Sequence, residues 1–239
     1  MKRTFIITGG NSGLGYQCVK NIALENVENH VVIASRNLEK SNAAAETLVR
    51  ETGNPHICAM PLNLASLVSV RTFYKLFTDS NFLPLYGLVC NAVSGSGSKP
   101  VFTEDGYEMT FATGHLGHFL LANLLLKNMQ NGGRIVFVSS DQHNPPRLFG
   151  SLHYTDAIDI ASAKNESHNL RYSMTKLCNI YCAYEMSERL KSESDKQITI
   201  NAFNPGFMAD TGLSGNAKSF GEKVAKNLGP LIARFLGTH

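Results

Sequence analysis

The chain has 239 residues, 43% of them hydrophobic, enough to bury a substantial single core. Twenty-two basic residues against nineteen acidic ones leave a net charge of only +3, with no basic run interleaved with aromatics, so nucleic acid is not an expected partner. The five cysteines, at 18, 58, 90, 178 and 182, show no metal-knuckle spacing and suit a reducing cytoplasm.

Met1-Lys2-Arg3 leads directly into Thr4-Phe5-Ile6-Ile7-Thr8, which reads as a short buried strand. No long apolar segment with a cleavage site precedes it, so a signal peptide is not expected. The strand runs into Gly9-Gly10-Asn11-Ser12-Gly13-Leu14-Gly15 and then a helical stretch. Glycines at 9, 13 and 15 allow a tight turn, keep Cβ atoms out of the way of a phosphate, and aim helix N-terminal N–H groups at a pyrophosphate. The next strand, Val31-Val32-Ile33-Ala34, ends in Ser35-Arg36. An acidic side chain there would hold an unmodified ribose hydroxyl; a serine followed by a guanidinium suits a 2′-phosphate, which favours NADP(H) over NAD(H). The plain alternative is a solvated loop arginine.

Further strands are expected near 56–61, 85–90, 133–139 and 197–203, separated by longer helical segments. This alternation predicts an α/β fold: one Rossmann-type domain over 1–239, a doubly wound parallel sheet of six or seven strands flanked by helices. Ser94-Gly95-Ser96-Gly97-Ser98 follows the fourth strand and reads as a mobile loop at the cofactor edge. The longest apolar stretch, around Phe119 to Leu126, is too short to span a bilayer and carries Asn123, so no transmembrane segment is expected. Residues 141–171, with Asn144-Pro145-Pro146, form a connection long enough to read as an active-site flap.

Tyr172 and Lys176 then stand four apart on a predicted helix, and Ser140 ends an apolar run 32 residues before the tyrosine. The i, i+4 spacing places an ammonium beside a phenol and favours its ionised form, while a serine hydroxyl holds a substrate oxygen. Cys178 and Cys182 lie one turn apart and read as small buried hydrophobes, the alternative being a metal or redox pair. The tail from Ser214 to His239 spaces Phe220, Val224, Leu228, Leu231, Ile232 and Phe235 among lysines. It reads as a lid over an apolar pocket, with weak contact to a membrane surface as the alternative.

Seven segments in order, TGGNSGLG at 8–15, NLASL at 63–67, CNA at 90–92, GHLGHF at 114–119, RIVFVSS at 134–140, YSMTK at 172–176 and NPG at 204–206, make the chain resemble the short-chain dehydrogenase/reductase family from residue 4 to about 213. Within it, LVCNA at 88–92, EDGYEMTFATGHLGHFLL at 104–121, MTKLCN at 174–179 and TGL at 211–213 are most similar to protochlorophyllide reductases and retinol-dehydrogenase-like relatives.

The resemblance implies that Tyr172 exchanges a proton with a carbonyl or hydroxyl oxygen, Lys176 lowers the tyrosine pKa and holds the nicotinamide ribose, and Ser140, rather than Ser139, fixes the oxygen. It implies a cofactor-binding set of Gly9, Asn11, Ser12, Gly13, Leu14, Gly15, Ser35, Arg36, Asn63, Leu64, Asn91, Ala92, Pro205, Gly206 and Thr211, joined by Tyr172 and Lys176, and a substrate-lid region within 195–239. It also implies homodimers or homotetramers paired through the apolar helices around 116–126 and 177–190. The expected activity is an NADP(H)-dependent interconversion of a carbonyl and an alcohol on a small or medium apolar substrate. Light-driven protochlorophyllide reduction and an NADP(H)-binding module without turnover are the alternatives.

Three positions depart from the family pattern. Gly114 replaces the asparagine that completes its catalytic tetrad, which predicts slow or absent turnover. Asn63 replaces an aspartate facing the adenine and still offers a carbonyl acceptor. Val93 replaces the glycine of the usual NAG segment. Of the histidines, 115 and 118 are expected to pack and hydrogen-bond within their helix, and His143 to line the pocket.

Overall fold

The computed structural model describes residues 2–82, 84–94, 99–144, 156–163, 168–193 and 195–206. Thr211, the TGL segment, the tail from Ser214, most of the 94–98 tract and the centre of the 141–171 connection lie outside the described residues.

The strands are β1 (Thr4–Thr8), β2 (His30–Ser35), β3 (Ile57–Pro61), β4 (Leu85–Cys90), β5 (Met129–Val138) and β6 (Thr199–Phe203). Between them lie α1 (Gly13–Glu25), α2 (Leu38–Thr52), α3 (Leu67–Thr78), α4 (Met109–Phe111), α5 (Gly117–Leu126), α6 (Ala157–Ala161) and α7 (His168–Glu193). All strand pairs are parallel, in the order β3-β2-β1-β4-β5-β6, so the sheet reverses direction of growth between β1 and β4. The expected fold is the observed one, with six strands among the described residues.

Period-two alternation divides the core. Phe5, Ile7, Val31 and Ile33 face α1 and α2 residues such as Val19, Ala23, Ala45 and Leu48, whereas Ile6, Val32, Leu88, Ile135 and Phe137 face Val70, Phe73, Leu121, Leu125 and Met186 of α3, α5 and α7. Burial of each such side chain contributes about 1.5–3 kcal/mol, which is why both faces of a β-branched sheet require helices. Local chemistry sets the helix ends: Asn37 caps α2 by accepting from Lys40 N at 2.9 Å, and Gly53 closes it with φ +70°.

Two sequence expectations change. The 141–171 connection is not simply a flap: a 3₁₀ turn at Asp141–His143, the Asp156-capped helix α6 and the first turn of α7 all fall within it. The apolar run near Phe119 is longer than expected, because a π-helical turn at Ala112–Leu116 joins α4 to α5. The joined stretch Met109–Leu126 is long and apolar enough to cross a bilayer by composition, yet 56% of it is buried inside the fold. Leu121, Ala122 and Leu125 lie in the main core, as in an internal helix.

Candidate active site

The carboxyl ends of β1 and β4 adjoin where the strand order reverses, the position at which open parallel sheets bind ligands. Thr8 stitches them together: its Oγ1 accepts from the backbone N–H groups of Asn91 at 2.9 Å and Ala92 at 3.0 Å, and its carbonyl accepts from Asn91 Nδ2 at 2.9 Å. Beyond Thr8 the loop turns through Gly9 and Gly13, at φ +66° and +54°. A Cβ at Gly15 would lie 2.4 Å from the Gly9 carbonyl oxygen and 2.7 Å from Asn91 Nδ2, so only glycine lets α1 start this close to the strand. Ser12 makes no side-chain cap and the first turn of α1 carries no acidic residue. This cradle, with Leu14 inside it, fits a dinucleotide pyrophosphate.

The adenosine-side residues are arranged differently from one another. Arg36 is exposed at the end of β2, while the Ser35 hydroxyl is engaged with Ser41 Oγ and the Asn37 carbonyl. Asn11, Ser12 and Tyr16 line a cleft of about 510 Å³ together with Lys40, a basic residue the motif reading missed; its signal was its place in the first turn of α2, four residues after Arg36. Asn63 Oδ1 accepts from Ala65 N at 3.2 Å, and Leu64 is buried in the main core.

Ser140, Tyr172 and Lys176 come together. Ser140 follows β5; its Oγ accepts from Gln142 N at 3.3 Å and lies beside the Tyr172 phenol, close enough for hydrogen bonding to lower that group's pKa. Ser139 points the other way, donating to the Lys176 carbonyl at 2.9 Å, so alternation along the strand separates the two serines as expected. Pro205 and Gly206 are brought alongside through a hydrogen bond from Asn204 Nδ2 to Asp141 Oδ1. His143 Nδ1 lies 2.6 Å from the Ser140 carbonyl; a carbonyl only accepts, so that nitrogen carries the proton.

The electrostatics differ from the sequence expectation. Burial raises the Tyr172 pKa, and the Ser140 hydrogen bond offsets part of that rise. Lys176 does not lower it: its Nζ sits 5.4 Å from the Tyr172 ring centroid and donates instead to the Val138 carbonyl at 2.8 Å. Lys176 is itself buried, and desolvation brings its pKa down to about 8.

Behind the lysine lies a polar junction. Asn179 Nδ2 donates to the carbonyls of Gly114 (3.1 Å) and Val138 (3.3 Å), and its Oδ1 is 2.9 Å from His115 Nδ1. His118 Nε2 is 2.8 Å from Thr8 Oγ1 and its Nδ1 is 3.4 Å from the Gly114 carbonyl. The Gly114 carbonyl only accepts, so the His118 proton sits on Nδ1 and Nε2 accepts from Thr8 Oγ1, whose hydroxyl also faces the Val89 carbonyl at 3.2 Å. Burial holds the His118 pKa down to about 3, in keeping with a neutral ring. Both histidines therefore bond beyond their own helix; within it His118 reaches the Gly114 carbonyl, while His115 packs its ring against Phe111 and Phe119.

Arg171, adjacent to Tyr172, forms a buried ion pair with Glu108 at 3.4 Å, tying the start of α7 to α4. All five cysteines are free thiols; Cys178 and Cys182 are buried, and desolvation pushes Cys182 up to about 12, which suits small core side chains. Among the described residues, no group of three His, Cys, Asp or Glu is placed to hold a metal.

Comparison with known proteins places the chain in a family. The family model for short chain dehydrogenases matches residues 3–155. The chain is 37% identical over 217 residues to WW domain-containing oxidoreductase from Gallus gallus, covering 90% of this chain and 51% of that one. It thus spans about half the length of the WW domain-containing oxidoreductases it matches. It is 34% identical over 237 residues to retinol dehydrogenase 13 from Homo sapiens, covering 96% and 66%. Among solved structures, an uncharacterized protein from Mycobacterium paratuberculosis superimposes with a TM-score of 0.70 at 30% identity, covering 94% of this chain and 72% of that one.

Proposed function

The chain belongs to the short-chain dehydrogenase/reductase family, and from that premise we propose that it is an NADP(H)-dependent oxidoreductase that interconverts a carbonyl and an alcohol on a small or medium apolar substrate. The observation that carries the reading is that Ser140 and the Tyr172 phenol come together at the carboxyl end of β5, with the Lys176 ammonium one helical turn further along. A bound nicotinamide would supply the hydride, delivered to the carbonyl carbon. Tyr172 delivers the proton to the carbonyl oxygen, and Ser140 holds that oxygen between them. A phenol whose pKa burial has raised is protonated at neutral pH, the form in which Tyr172 acts as general acid for carbonyl reduction. Lys176, held to the Val138 carbonyl one helical turn from the phenol, would hold the nicotinamide ribose. The preference for NADP(H) is supported by the exposed Arg36, by Lys40 in the neighbouring cleft, and by the lack of an acidic side chain in the Ser35-Arg36-Asn37 segment.

NADPH consumption in the dark against apolar aldehydes, ketones and quinones tests the proposal. Tyr172→Phe is expected to lose about 10²–10⁴-fold in turnover while still binding NADPH. Full activity in that variant overturns the mechanism. The packing around Gly114 favours one second reading, a module that binds NADP(H) without turnover. Tight NADPH binding with no substrate consumed, under light or in the dark, would select it.

A further inference from the structure

Asn179 is fully buried three residues beyond Lys176, on nearly the same face of α7. Its hydrogen bonds determine its orientation. The Gly114 and Val138 carbonyls can only accept, so Nδ2 faces them and spends both of its protons there. Oδ1 must then accept from His115, which carries its proton on Nδ1. The Val138 carbonyl oxygen is the same atom that receives the Lys176 ammonium at 2.8 Å.

We propose that Asn179 is a positioning residue for Lys176: its amide and the lysine ammonium grip one carbonyl oxygen, and His115 locks the amide from behind. The proposal rests on the oxidoreductase reading above for its effect on turnover. The structure explains why the amide comes from α7. A side chain at 114 has no room, because its Cβ would lie 2.7 Å from Thr175 Cγ2 and 3.0 Å from Val93 Cγ2. The amide therefore reaches the Gly114 carbonyl from across the helix interface. The oxygen of Val138 is two residues from Ser140, so fixing it also fixes the distance between the ammonium and the Ser140–Tyr172 pair. The titratable groups around the junction are Lys176 and Tyr172 on α7, His115 in the π turn and His118 on α5.

Asn179→Leu, close in volume but without a donor, tests this on the full chain. Turnover per NADPH-binding site is expected to fall about tenfold, with NADPH affinity within about threefold of the parent. By NMR, the two Lys176 ε-protons, distinct while the ammonium is held, are expected to merge as it is released. Asn179→Ser, which retains one donor, is expected to lose less on both measures, and it carries the comparison if the leucine variant does not fold. A variant that melts earlier but keeps its turnover per site and its distinct ε-protons overturns the proposal. If the parent consumes no substrate, the oxidoreductase reading fails by itself, and the ε-proton measurement still decides the role of Asn179.

Discussion

Gly114 and Thr175 approach so closely across the junction of the π turn and α7 that a Cβ on residue 114 would lie 2.7 Å from the Thr175 Cγ2 methyl. Thr175 is fully buried and its Oγ1 donates to the Arg171 carbonyl at 2.8 Å, so the methyl cannot turn away without losing that bond. Val93 Cγ2 closes the other side at 3.0 Å. Gly114→Ala is expected to cost about 1–3 kcal/mol and Gly114→Asn more, without a gain in turnover. Adding Thr175→Ser and Val93→Gly should recover most of the lost melting temperature. An asparagine at 114 that leaves the melting temperature of the single variant unchanged would contradict this packing.

The Glu108–Arg171 pair lies with both side chains almost wholly out of water. Glu108 also accepts from Phe111 N at 2.9 Å and Thr110 Oγ1 at 3.1 Å, so it is the anchor of α4. Arg171→Met leaves that carboxylate buried without its cation, and a loss of about 3–5 kcal/mol is expected in denaturant unfolding. A loss below about 1 kcal/mol would mean the pair is not closed in solution.

His118 titrates near pH 3 in the folded chain and near 6.5 when exposed. Its folded pKa is lowered, so the unfolded state binds the extra proton first. Stability is therefore full above about pH 6.5 and declines as pH falls toward 3, by about 1.4 kcal/mol per unit for this one group. His118→Gln should flatten the fall in melting temperature between pH 6 and 4. An identical slope in both proteins would assign the acid sensitivity elsewhere.

Arg36 is exposed, so removing it should leave stability within about 0.5 kcal/mol. If it meets the 2′-phosphate, Arg36→Ala raises the KM for NADPH about tenfold or more and leaves that for NADH unchanged. Equal effects on both coenzymes would remove the basis for preferring NADP(H).

Strands and glycine loop were legible because their signals are local. The buried run Thr4–Thr8 and the turn after it are dictated within a dozen residues, and the Tyr172–Lys176 spacing needs only the helical repeat. What escaped depends on residues far apart in the chain. Asn179 meets His115 and Gly114 across 64 and 65 positions, and no periodicity points to either contact. The expected lowering of the Tyr172 pKa failed for a related reason. The i, i+4 spacing brings the ammonium near the ring, but desolvation of the phenol outweighs it and the Val138 carbonyl draws the ammonium aside. Helix α6 had a readable start in Asp156, whose side chain accepts from Asp159 N at 2.8 Å, yet it is only five residues long and lies within a connection read as a flap.

The π turn at Ala112–Leu116 holds one residue more than regular winding would need. Deleting a single codon there would restore ordinary winding and leave Leu121 and Leu125 facing the sheet, because the wide turn already absorbs the surplus residue. The same deletion within the regularly wound stretch Gly117–Leu126 has no such slack: it would rotate everything downstream by about 100° and carry Leu125 out of the core. Reading-frame-preserving deletions thus divide this one helix into a turn that can lose a residue and a stretch that cannot.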